Sequence, residues 1–147
     1  MAISGSYKVE GLQALGQRMR GLSDEMAFKV ARSSTNAVAQ AIRKLAVQKA
    51  PEAPSNISPR VPPGNLKKQI RTKYVKESQL TSEHIVFVRS GKKAFNASRY
   101  GSIQEFGSVK QAAQPWFRPA FDQGKENAAH VMKERLLAAI KKAEAGK

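Results

Sequence analysis

Tyr100-Gly-Ser-Ile-Gln-Glu-Phe-Gly-Ser-Val-Lys-Gln-Ala-Ala-Gln-Pro-Trp-Phe-Arg-Pro-Ala-Phe121 is the stretch that decides how this chain folds. Its 22 residues hold Tyr100, Phe106, Trp116, Phe117 and Phe121, which is half of the aromatics in a chain of one Trp, three Tyr and six Phe. Each carries a large apolar surface that favours burial, so a solvated linker is a poor reading. Pro115 and Pro119 bracket Trp-Phe-Arg and preset an extended approach to a helix that has Pro119 in its first turn. Tyr100, Ile103 and Phe106 recur at helical spacing and predict a short helix over 98–105, closed by Gly107. On the residues alone, the segment is a rigid connection between a sheet and a terminal helix.

Working outward, the terminal helix is predicted from Pro119 to about Lys142, with Phe121, Ala128, Met132, Leu136 and Ile140 on one face and lysines at its negative end. On the other side, Ile85-Val86-Phe87-Val88 is a β-branched and aromatic run too short for a helix. Arg89–Lys93 reads as a turn, and Ala94-Phe95 as the start of a third strand. Ile70, Thr72 and Tyr74 alternate with Arg71, Lys73 and Val75, a strand period with one basic face, entered through a helical turn at Asn65–Ile70. Pro51 to Gly64 holds five of the seven prolines and is an arm, disordered or ordered by a partner. Before it, Ser23-Asp24-Glu25 starts a helix predicted over Asp24–Ala50, with Met26, Val30, Ala37, Ala41, Ile42 and Leu45 on one face. Pro51 ends it by restricting Ala50. Val9, Leu12, Leu15, Met19 and Leu22 mark a first amphipathic helix. The expected fold is α+β: a small antiparallel sheet packed by a long N-terminal helix and a C-terminal helix. At 147 residues, one domain is expected over 1–147.

The chain has 26 Lys and Arg against 11 Asp and Glu, a net +15 that attracts polyanions or acidic protein surfaces. Arg60, Lys67, Lys68, Arg71, Lys73 and Lys76 fall in an acid-free stretch and are the expected contact with an anionic partner. Arg89, Lys92, Lys93 and Arg99 form a second cluster. There is no cysteine, which excludes a disulfide scaffold, a thiolate metal site and a cysteine nucleophile. No apolar run reaches the ~18 residues of a membrane span, and Met-Ala-Ile-Ser-Gly-Ser-Tyr is not a signal peptide.

Chemistry is sparse. His84 and His130 each have one acid nearby (Glu83, Glu134), without the spacing of a metal or catalytic set. Ser90-Gly91-Lys92 lacks the upstream glycine of a phosphate-binding loop. Glu105, the only acid among the aromatics, suits a helix cap or an ion pair with Arg118 better than a base. No enzyme, cofactor or metal is expected. Nucleic-acid binding stays open, because neutralising phosphates needs no motif, although no helix-turn-helix, zinc finger or RNA-binding strand signature is present.

The order Tyr-x4-Glu-Phe-Gly, a polar loop and Gln-Pro-Trp-Phe-Arg-Pro-Ala resembles the tail-completion, minor-tail-protein-Z-like family from the neck of long-tailed bacteriophages. Gly11-Leu12-x-x-Leu15 before a long helix and Pro63-Gly-Asn-Leu-Lys-Lys-Gln-Ile70 before the sheet are similar to that family in the same order. The resemblance implies a non-enzymatic virion protein, assembled in the host cytoplasm, that completes the tail and joins it to the DNA-filled head. It implies a homo-oligomeric ring, a hexamer, beside tail-terminator, tail-tube or head-completion proteins, with DNA contact possible. Aromatic and Arg content marks Tyr100, Glu105, Phe106, Gln114, Pro115, Trp116, Phe117, Arg118 and Pro119 as the expected subunit or partner interface. The alternative is a basic nucleic-acid-binding protein; a small hydrolase using Glu105 is the remote third.

Overall fold

The computed structural model describes residues 12–52, 62–75 and 82–146. Five helices and one antiparallel hairpin follow in the order α1 (Leu12–Arg20), α2 (Asp24–Lys49), α3 (Asn65–Gln69), β1 (Ile70–Val75), β2 (Glu83–Val88), α4 (Ala97–Phe106) and α5 (Phe117–Ala145). The class is α+β, with the long helices α2 and α5 packed against a two-stranded sheet.

Local chemistry sets the ends of α2. The Ser23 hydroxyl accepts from the Met26 amide at 3.4 Å, Asp24 and Glu25 occupy the positive first turn, and Lys49 sits in the last. Ala50 is extended at φ −62°, ψ 128°, as the residue before Pro51 must be. The buried stripe is Val30, Ser34, Ala39, Ile42 and Ala46. Ala37 and Ala41, expected on that face, are only half-buried, because the helix is wedged between the sheet and α5 and buries a differently angled stripe. Ser34 is tolerated there because its hydroxyl donates to the Val30 carbonyl at 2.9 Å.

Helices α2 and α5 run antiparallel and form the main packing contact. At one end Leu15, Leu22, Val30, Leu136 and Ile140 join α1, α2 and the tail of α5. At the other, Ala46, Ala50, Leu66, Ile70, Ala97, Trp116 and Ala120 join α2, α3, α4, the sheet and the start of α5. Between them the helices approach so closely that a Cβ on Gly124 would lie 2.6 Å from Ile42 Cγ1. A glycine inside a helix costs propensity, and this contact explains its place.

In the hairpin, Ile70 faces Val88, Thr72 faces Val86 and Tyr74 faces His84, and this face packs on α2. Arg71, Lys73, Val75, Glu83, Ile85 and Phe87 form the opposite face. The expected third strand at Ala94-Phe95 is corrected. Lys92–Ala94 is a 3₁₀ turn in which the Ala94 amide donates to the Gly91 carbonyl, and Phe95 and Asn96 follow with φ of 50° and 54°. Two successive left-handed residues cannot continue a strand. Helix α5 begins at Phe117, two residues before Pro119, for a reason that lies in Glu105. Val9 lies outside the described residues, as does most of the proline-rich arm.

Candidate assembly surface

The end of α4, the loop behind it and the start of α5 form one interlocked unit. Glu105 Oε2 accepts from the amides of Trp116 at 2.7 Å and Phe117 at 2.8 Å, and Oε1 accepts from Arg118 at 3.0 Å. The first amides of a helix have no partner within it, and the positive end of its dipole favours a carboxylate. A residue 12 positions upstream of Phe117 thus caps α5, which is why the helix starts before Pro119. Of the two expected roles, cap and ion pair with Arg118, the structure builds the cap. The Arg118 guanidinium instead lies 6.0 Å over the Phe106 ring.

Trp116 fills the space under this cap. It is 4 % exposed, its indole N–H donates to the Gly101 carbonyl at 3.0 Å, and its ring meets Phe117 edge-on. A Cβ on Gly101 would stand 3.1 Å from both Trp116 Cζ2 and Leu66 Cδ1, so the residue after Tyr100 must be small. Gly107 turns the chain at φ 79°, where a Cβ would lie 2.8 Å from the Ala113 nitrogen. The Gln114 amide then donates to the Gln104 carbonyl at 2.7 Å and closes the loop.

The predicted contact residues divide. Trp116 belongs to the core of its own chain, Glu105 is buried as the cap, and Tyr100 and Phe117 are half-buried. Gln114, Pro115, Arg118 and Pro119 are exposed, and Phe106 stands out at 69 %. Phe121, expected on the buried face of α5, is 48 % exposed. Phe106, Phe121 and Arg118 flank a groove of about 430 Å³ whose floor includes Val86, Val88 and Trp116. A second recess of about 530 Å³, between β2, α2 and α5, shares Val86, Phe117 and Phe121 with it. Both are mostly apolar, so an apolar strip follows β2, a strand whose only described partner is β1. The sequence reading missed Phe121 as a surface residue. Its spacing of four from Phe117 puts both on one helix face and was the available signal.

The basic residues also divide. Arg71 and Lys73 are exposed on the outer face of the hairpin beside Ile85 and Phe87, and Lys68 is exposed on α3. Lys67 Nζ lies 2.8 Å from Glu52 and holds that carboxyl below its ordinary pKa. Arg60 and Lys76 lie outside the described residues. His84 Nδ1 is 2.9 Å from the Thr35 hydroxyl, and burial, then the Arg32 charge, keep its pKa below the ordinary 6.5. His130 sits on the solvent side of α5, 3.2 Å from Glu134. Among the described residues no group of three or more His, Asp or Glu could hold a metal, and no helix is long and apolar enough to cross a membrane.

Residues 13–107 match the family model described as "Bacteriophage HK97-gp10, putative tail-component". No curated protein and no solved structure matches the chain.

Proposed function

The chain belongs to the HK97-gp10-like family of bacteriophage tail components, and from that premise we propose that it is a non-catalytic neck protein. In this reading it closes the tail and joins it to the DNA-filled head as one subunit of a six-membered ring. The observation that carries the reading is the apolar strip along β2, with Phe106 and Phe121 exposed beside it. Exposed aromatics around an apolar recess have the composition of an interface core, and Arg118 supplies the cation such cores favour. Among the described residues each strand of the hairpin pairs on one side alone, and a head-to-tail contact between copies would pair the other sides in a closed ring.

The non-catalytic role rests on Glu105, whose two oxygens are both engaged by main-chain amides. Six copies of +15 would bring +90 together, so the ring needs an anionic neighbour. We assign that role to acidic surfaces of adjoining tail-terminator, tail-tube or head-completion proteins, facing Lys68, Arg71 and Lys73. Duplex DNA is the second reading, favoured by the way Arg71 and Lys73 stand directly across from Phe87 and Ile85 on the outer face of the hairpin. Mass measurement of the chain alone and with its purified virion neighbours tests the ring. A closed oligomer that forms with the wild type and not with Phe106→Glu supports it. A monomer under both conditions overturns it.

A further inference from the structure

The two apolar recesses lie along one edge of one strand. Residues 82–86 border the larger and 86–88 the smaller, while no residue of β1 lines either. Successive residues of a strand point to opposite faces, so an unbroken run borders a recess only from the strand's edge. The strip is therefore a slot against the unpaired side of β2, faced by Ala39 and Ile42 of α2, by Trp116, and by Phe121 and Met132 of α5. An open edge offers a row of unpaired amides and carbonyls to an added strand, and pockets beside it take that strand's alternate side chains. Such a guest needs apolar residues at a period of two, an amide at every residue, and a length of ~20 Å to match the six residues of β2.

The chain itself contains one such guest. Ile3, Tyr7 and Val9 fall on odd positions with Gly5, and Ser4, Ser6, Lys8 and Glu10 fall between and after them. Residues 3–9 hold no proline and extend to ~23 Å. Two other stretches fit worse: 53–61 carries Pro54 and Pro59, which have no amide to give, and 76–81 joins β1 to β2. We propose that residues 3–9 of a neighbouring copy lie in the slot as a third strand beside β2, with Ile3, Tyr7 and Val9 turned toward α2 and α5. The proposal rests on the ring reading above and names the contact that closes the ring. Segment and slot are different surfaces of one chain, so each copy gives one strand and takes one, which is a head-to-tail contact. Leu15 clusters with Leu136 and Ile140, and Met132, which lines the slot, packs against the same cluster. The segment thus leaves α1 beside the slot of its own chain, and exchanging such an element between copies is a low-cost route to assembly.

The chain has no cysteine, so introduced thiols report single contacts. Val86→Cys protein is mixed with isotope-labelled Ile3→Cys, Tyr7→Cys or Val9→Cys protein, in the presence of the purified virion neighbours, and oxidised. A disulfide between the two masses is expected from at least one pair, because facing Cβ atoms of paired strands lie ~4.5–5.5 Å apart. Lys8→Cys, on the other face, should give far less. Tyr7→Asp in the full chain should leave the melting temperature of the free subunit unchanged. It should raise the concentration needed for the closed oligomer about tenfold or more, because it puts an unpaired carboxylate into an apolar slot. A closed oligomer without these cross-links, or one that Tyr7→Asp does not weaken, overturns the strand and leaves the ring standing; equal cross-linking from Lys8→Cys overturns it too. A chain that stays monomeric and gives no cross-link overturns both readings. Cross-linking only within a chain that carries both cysteines puts the segment in its own slot and overturns the exchange.

Discussion

Replacing Glu105 by Ala removes the only acceptor seen by three amides at the start of α5. The Trp116 amide is buried, and stranding it costs about 1–3 kcal/mol. The Phe117 and Arg118 amides are partly buried and recover some water, so each adds roughly 0.5–1 kcal/mol, within the usual range for a lost cap. The expected loss is therefore ~3 kcal/mol, a large share of the ~5–15 kcal/mol that holds a typical domain. For a chain of this size that lowers the melting temperature by roughly 6–12 °C. Glu105→Gln keeps one oxygen for Trp116 and Phe117 but turns an NH₂ toward the Arg118 amide, and should lose about half as much. Urea unfolding followed by the fluorescence of Trp116, the single tryptophan, measures both. An alanine variant within ~0.5 kcal/mol of wild type would refute the capping argument. Equal losses for Ala and Gln would show that the charge alone matters.

Trp116→Ala should cost about 3–5 kcal/mol in the isolated subunit, since the ring is core, and equal chemical stability to wild type would contradict its burial. Phe106→Glu should change subunit stability by less than ~0.5 kcal/mol yet prevent assembly, as measured by solution mass. Because the folded pKa of His84 lies below 6.5, the unfolded chain takes up that proton first. The stability from neutral His84 is present above about pH 6.5 and is lost as pH falls through the lower folded value; a melting series on wild type and His84→Gln should show this slope only in the former. If acidic proteins are the anionic neighbours, duplex affinity of the assembly should vary little with salt; a slope of about −0.9 per phosphate contact in log K against log salt would favour DNA instead.

Periodicity and punctuation were enough for the long helices and the two strands. Ser23-Asp24-Glu25 and Pro51 bracket α2 through local capping and φ restriction, and Ile85–Val88 could hardly be anything but a strand. The α+β class followed from these, and the Tyr-x4-Glu-Phe-Gly and Pro-Trp-Phe-Arg motifs pointed to the phage family that residues 13–107 match. What the chain alone left undecided were matters of orientation and distance. Whether Glu105 would cap, pair or catalyse depended on where α5 begins relative to α4, a long-range closeness that spacing does not encode. Ala94-Phe95 looked like strand because its residues suit one; the Gly91 carbonyl and two left-handed residues turned it away. Phe121 and Trp116 are both aromatic residues in one short motif, yet Phe121 is half exposed and Trp116 lies in the core, because the indole is tied under α4 by its bond to the Gly101 carbonyl while Phe121 falls beside the α5 positions, Ala120 and Gly124, that are buried. Arg32, Tyr74 and His84 come from three elements, α2, β1 and β2, and only the packing of α2 on the hairpin brings them together. Local hydrogen bonds and burial preference act through neighbouring residues and are written in the sequence. Which side chains remain exposed is decided by how the finished elements occlude one another, and that belongs to the tertiary structure.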